Sequence, residues 1–162
     1  MDDTKQTELM KLFIMENYPS KQQLKELVKT QDINAKDFQG KSVMHYAAYY
    51  MARPEFIDFL AENGADINAR DKQGRTPLHD HADSPYFNEG TLSALLHNKA
   101  DPLALDKLGR IPLKLAEKHV RAHFDRAIQM LAKATKEAED KKFKTIAQQR
   151  SWYMAKNGRE KS

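Results

Sequence analysis

Apolar residues recur in short bursts at helical spacing, and polar turns separate the bursts. Leu9, Met10, Leu12 and Phe13 form the first stripe, which Pro19-Ser20 breaks. Ser20 is placed to cap a second helix carrying Leu24, Leu27 and Val28 on one face. Phe56, Ile57, Phe59 and Leu60 make a further stripe behind Pro54, and Leu78, Ala82, Leu92, Leu95 and Leu96 another pair. Near the end, Phe143, Ile146, Ala147, Tyr153 and Met154 fall at helical spacing within 140–157, and Asn157-Gly158 closes them. The pattern predicts an all-α chain of short helices, none able to bury its apolar face alone.

The turns between the stripes repeat. Asp32-Ile33-Asn34-Ala35-Lys36-Asp37, Asp66-Ile67-Asn68-Ala69-Arg70-Asp71 and Asp101-Pro102-Leu103-Ala104-Leu105-Asp106 each lead to a glycine, Gly40, Gly74 or Gly109. Those glycines are 34 and 35 residues apart. Self-similarity at such a period is the mark of a solenoid, in which neighbouring units stack to bury a shared core. Thr76 is suited to an N-cap and Pro77 to the first helical position. Gly64 follows a helix end, where φ > 0 is wanted. Lys99 takes the corresponding place one unit later, at a cost of about 1 kcal/mol if the left-handed conformation is kept.

Gly74-Arg75-Thr76-Pro77-Leu78-His79, with Asn63-Gly64-Ala65-Asp66-Ile67-Asn68-Ala69 before it, resembles the ankyrin repeat family. Tetratricopeptide repeats have nearly the same period, but their Trp, Gly, Tyr and Pro landmarks are missing. The resemblance is close over 32–131 and looser over 4–31. It implies a helix pair and a projecting hairpin per repeat, and a protein-binding role without catalysis. The expected organisation is a single ankyrin-repeat domain over 1–162. It comprises a degenerate N-terminal capping pair (4–31), repeats at 32–65, 66–100 and 101–134, and a C-terminal helical cap (135–157). Two departures from the family pattern stand out: Asp80 and His81 replace an apolar and a small residue, and the segment 83–90 is about two residues long for its place.

Composition narrows the function. The 162 residues include no cysteine, so neither disulfides nor thiolate chemistry are available. No apolar run is long enough to cross a membrane, and the acidic Met1-Asp2-Asp3-Thr4 start is unlike a secretory signal. A cytoplasmic location is expected, or delivery into a host cytosol if the chain is an effector. The net charge of +4 is uneven: residues 1–100 hold 12 Lys and Arg against 15 Asp and Glu, and residues 101–162 hold 15 against 8.

His79, His81 and Asp83 are residue types that bind zinc. Yet His81 would point away from the other two on a helix. The resemblance makes His79 structural, bonding backbone groups of a neighbouring hairpin, with His45 in the same phase. No catalytic constellation, metal or cofactor is expected. The Asp37, Asp71 and Asp106 series reads as turn carboxylates that satisfy local amides.

The resemblance places binding residues on the hairpins and on the exposed faces of the inner helices. Here those positions hold Lys36, Phe38, Lys41, Tyr49, Tyr50, Arg70, Lys72, Arg75, Lys107, Leu108 and Arg110. Basic residues interleaved with Phe, Tyr and Leu suit a protein partner with an acidic surface. The expected function is therefore non-catalytic protein–protein recognition, as an inhibitor, adaptor, immunity protein or bacterial effector, by a chain that is monomeric on its own. The alternatives are nucleic-acid binding through the basic, aromatic-bearing stretch 136–161 and, less favoured, a metal-dependent enzyme using His79, His81 and Asp83.

Overall fold

The computed structural model describes residues 6–14, 20–50, 53–117 and 120–127, with 129, 133, 136 and 137. The chain forms two compact units, residues 1–125 and 126–162. The described residues of the second are helical. The expected C-terminal helix over 140–157 lies outside the described residues, as do Met51, Ala52, Lys118 and His119.

The first unit is built of helices α1 (Glu8–Ile14), α2 (Lys21–Thr30), α3 (Val43–Tyr50), α4 (Pro54–Glu62), α5 (Pro77–Ala82), α6 (Glu89–His97) and α7 (Pro112–Leu115). Residues 120–125 are helical again, and no strand occurs among the described residues. The helices stack in rows: α1 packs on α3, α3 on α5 and α5 on α7, while α4 packs on α6. The fold is an all-α ankyrin-type solenoid.

Local chemistry sets each boundary. Ser20 caps α2 in a capping box with Gln23, whose side chain accepts the Ser20 amide at 2.8 Å. Proline opens α4, α5 and α7, where its missing N–H leaves nothing unsatisfied. After α4, Gly64 has φ +89° and the Ala65 amide returns to the Leu60 carbonyl at 3.0 Å. After α6, Lys99 holds φ +68° while the Ala100 amide returns to Leu95 at 2.9 Å. The same helix-terminating motif is thus built once with glycine and once against the preference of an L residue.

Leu9, Met10, Phe13, Leu24, Met44, Ile57, Leu60, Leu78, Leu92, Leu95 and Phe124 are buried and form the core. Leu27 and Val28 of the predicted second stripe are half-buried, and Leu24 carries most of that contact.

Candidate functional site

The hairpins form one face of the solenoid. In each, an aspartate binds its own turn: Asp71 Oδ1 accepts the Gln73 and Arg75 amides at 2.8 Å, and Asp37 and Asp106 repeat the pattern. All three carboxylates are buried. Burial pushes the Asp106 carboxyl up, but the Arg110 and Leu108 amides and the Arg110 guanidinium outweigh it and hold it at about 2.

Consecutive hairpins are stitched together at four equivalent positions. The Lys72 amide donates to the Gln39 carbonyl and the Lys107 amide to the Gln73 carbonyl, both at 2.8 Å. Asn34 Oδ1 accepts the Asp66 amide at 2.9 Å, and Asn68 Oδ1 accepts the Asp101 amide at 2.8 Å. The Lys36 ammonium donates to the Arg70 carbonyl at 2.9 Å, and the Arg70 guanidinium to the Leu105 carbonyl at 2.6 Å. His45 and His79 supply the fourth stitch. His79 Nδ1 accepts the Thr76 amide at 3.1 Å, which leaves Nε2–H to donate to the Arg110 carbonyl at 2.9 Å. His45 does the same between Ser42 and the Arg75 carbonyl. Burial lowers the pKa of both imidazoles.

Asp80 and His81, the two departures in α5, are both buried. Asp80 pairs with Lys41 of the preceding repeat through one oxygen and with Arg75, at 2.9 Å, through the other. Lys41 also lies 3.7 Å from Asp71, and Arg75 reaches Asp83 at 3.0 Å. A buried ion network thus ties the first repeat to the second. His81 sits between two carbonyls, with Nδ1 2.8 Å from the Ala48 oxygen and Nε2 3.0 Å from the Asn88 oxygen. Burial lowers its pKa, and a neutral ring donates to only one of the two. The contacts anchor the 83–90 segment, helped by the Ser84 hydroxyl, which donates to the Tyr49 carbonyl at 2.5 Å, and by Phe87 beside His81 and Phe124.

This chemistry does not make a metal centre. Both ring nitrogens of His79 and of His81 contact protein groups, and Asp83 faces Arg75. The donor atoms of His45, Asp71 and Asp80 come within 4.8 Å of one another. Lys41 and Arg75 already neutralise those carboxylates, and both nitrogens of His45 are engaged.

The expected binding residues divide by what they already touch. Lys41, Arg75 and Arg110 are half-buried and held in ion pairs, Arg110 with Asp106 at 2.8 Å. Lys36 and Arg70 are exposed and serve as stitches through their polar ends. Lys72 and Lys107 are exposed, the Lys72 ammonium lying 6.0 Å from the Phe38 ring centroid. Phe38 and Leu108 are exposed as well. Tyr49 and Tyr50 meet edge to face at 4.8 Å, and Tyr50 continues to the exposed Tyr86 at 6.3 Å. With Phe38, Tyr46, Asp37 and Lys41 they line a concave pocket of about 520 Å³ between α1, the first hairpin and α3. Tyr46 anchors its floor: its hydroxyl donates to Asp37 at 2.5 Å and accepts from Gln6 at 2.8 Å. Asp80 lines the pocket as well, and the sequence did not nominate it for binding. A carboxylate at an apolar helix position was the available signal for Asp80.

Residues 44–79 match the family model described as ankyrin repeats (many copies). No curated protein matches the chain. No helix among the described residues is long and apolar enough to cross a membrane.

Proposed function

We propose that this ankyrin-repeat chain is a non-catalytic module that binds a protein with an acidic surface across its hairpin tips and inner-helix face. Ankyrin repeats generally mediate protein–protein interaction, and the match over residues 44–79 supports that class. One observation carries the acidic partner: the hairpins turn their carboxylates inward and their cations outward. Asp37, Asp71 and Asp106 are buried in their own turns, while Lys36, Arg70, Lys72 and Lys107 are exposed. Phe38 and Leu108 stand between those charges as apolar contact area, and the tyrosine pocket adds rigid aromatic surface. Lys41, Arg75 and Arg110 contribute to the field of this face while their side chains hold the fold. An inhibitor, an adaptor, an immunity protein or an effector would all use such a surface.

The test is cross-linked affinity capture from the native organism with wild type and with Lys72→Glu/Lys107→Glu. Neither lysine side chain takes part in a stitch, so the variant keeps its helical spectrum and melting temperature. It should bind the captured protein at least ~10-fold more weakly, about 1.4 kcal/mol, with slower association and a flatter salt dependence. Equal binding by the variant sinks the acidic-partner reading. The nucleic-acid alternative rests on residues 136–161, of which all but 136 and 137 lie outside the described residues.

A further inference from the structure

Among the described residues the stitching between hairpins stops in the third repeat, and the residues that would continue it become apolar. Asn34 and Asn68 are followed in register by Leu103, Lys36 and Arg70 by Leu105, and Gln39 and Gln73 by Leu108. The fourth stitch ends too, since His45 and His79 are followed by Lys114. Leu103, Leu105 and Leu108 are 65%, 54% and 76% exposed. A Cβ on Gly40 would lie 2.9 Å from the Lys72 nitrogen of the next hairpin, and one on Gly74 3.1 Å from the Lys107 nitrogen. A Cβ on Gly109, at the same positive φ, would meet nothing within 4 Å among the described residues. The Leu108 carbonyl is the next acceptor in the Gln39–Gln73 series, and no hydrogen bond reaches it among the described residues.

A stack that simply ended here would be expected to show a polar outer face. Three exposed leucines in place of asparagine, a cation and glutamine are the opposite choice, at the positions where the preceding hairpins contact their neighbours. We infer that this open end of the hairpin row is a docking edge for a short, extended, apolar segment of a protein partner. A backbone N–H of that segment donates to the Leu108 carbonyl. Its side chains cover Leu103, Leu105 and Leu108. The segment prolongs the inter-hairpin interface by one more row, a form of edge augmentation. Its flanks carry carboxylates, because Lys107 beside the leucines is exposed. A second copy of the chain fits less well: three side chains are far fewer than the roughly 20–30 residues a stable interface uses on each side. The inference rests on the protein-binding reading of the chain but uses a surface separate from the tyrosine pocket.

The probe is a synthetic peptide alternating leucine with glutamate, titrated into the full chain with leucine methyl resonances observed. Saturable shifts are expected at Leu103, Leu105 and Leu108. The comparison variant is Leu103→Asn/Leu105→Arg/Leu108→Gln, which installs the side chains of the second repeat. It should fold as wild type does and bind the peptide at least ~10-fold more weakly. A peptide N-methylated on its backbone should lose affinity as well. Silent leucine methyls, or equal binding by wild type and variant, overturn the inference. So does self-association of wild type in sedimentation that the variant abolishes, because the edge then pairs with itself. Failure here with intact sensitivity of partner capture to Lys72→Glu/Lys107→Glu leaves the hairpin-face reading standing. The reverse result removes that reading and keeps the edge.

Discussion

Asp80 lies 2.9 Å from the Arg75 guanidinium, on a helix position that faces the hairpins rather than the core of its own repeat. Removing the carboxylate strands two cations that are themselves mostly covered. Asp71 still faces Lys41 and water still reaches both side chains, so the cost falls at or below the low end of that for a broken buried pair. Asp80→Ala should lose roughly 2–3 kcal/mol. Urea denaturation checks this: the midpoint should fall with an unchanged slope. A midpoint within error of wild type would reduce the network to a surface ornament.

The glycines allow a cleaner comparison. Gly40 and Gly109 share a left-handed φ, +78° and +70°, but only Gly40 faces the next hairpin. Gly109→Ala should cost about 1 kcal/mol from backbone strain alone. Gly40→Ala adds a collision with the Lys72 amide region and should cost about 1 kcal/mol or more beyond that. Equal losses in melting experiments would mean that the hairpins tolerate separation.

How much of this was legible in the sequence follows from the kind of interaction involved. Period, helix pairs and caps could be read because each depends on a few neighbouring residues, such as Thr76, Pro77 and Gly64. The role of His79 was implied by the resemblance, and its Nε2 does meet a neighbouring hairpin, at the Arg110 carbonyl. The fate of the cations was not legible. Lys41 and Arg75 align in register with Arg110, which makes a free basic row the natural expectation. Whether a lysine is spent depends on a carboxylate 39 residues away, as with Lys41 and Asp80. The place of Lys72, Lys107, Phe38 and Leu108 on the hairpins was implied by the resemblance, and their side chains are exposed there.

Lys99 offers a stabilising change. Its φ of +68° is one that glycine adopts freely. Lys99→Gly should raise stability by up to ~1 kcal/mol, less some gain in unfolded-chain entropy. The exposed lysine side chain has little packing to lose. A lower melting temperature would show that the side chain contributes more than its backbone costs.

Acid should act in two windows. His45, His79 and His81 are buried with lowered pKa. The unfolded chain, with imidazoles near 6.5, therefore binds more protons than the folded one. Stability is full above about 6.5 and falls as pH drops below it. Asp106 shifts the other way, from 3.8 to about 2. Its contribution is present above 3.8 and disappears as pH falls toward 2. Melting temperature against pH checks both, with Asp106→Asn flattening only the lower window. A curve flat from pH 7 to 5 would contradict the buried neutral histidines.

The hairpin bonds from Lys72 to Gln39 and from Lys107 to Gln73 each join one repeat to the next, so they are links in series along the stack. A pull on the two ends of the row loads every link with the same tension, and the weakest opens first. The junction between the first two repeats has the Lys41–Asp80–Arg75 network in addition, whereas the junction between the second and third lacks its counterpart, since Leu115 stands where Asp80 does. Under force the row should therefore part between Gln73 and Lys107 before it parts between Gln39 and Lys72, leaving the tyrosine pocket whole while the leucine edge is drawn away.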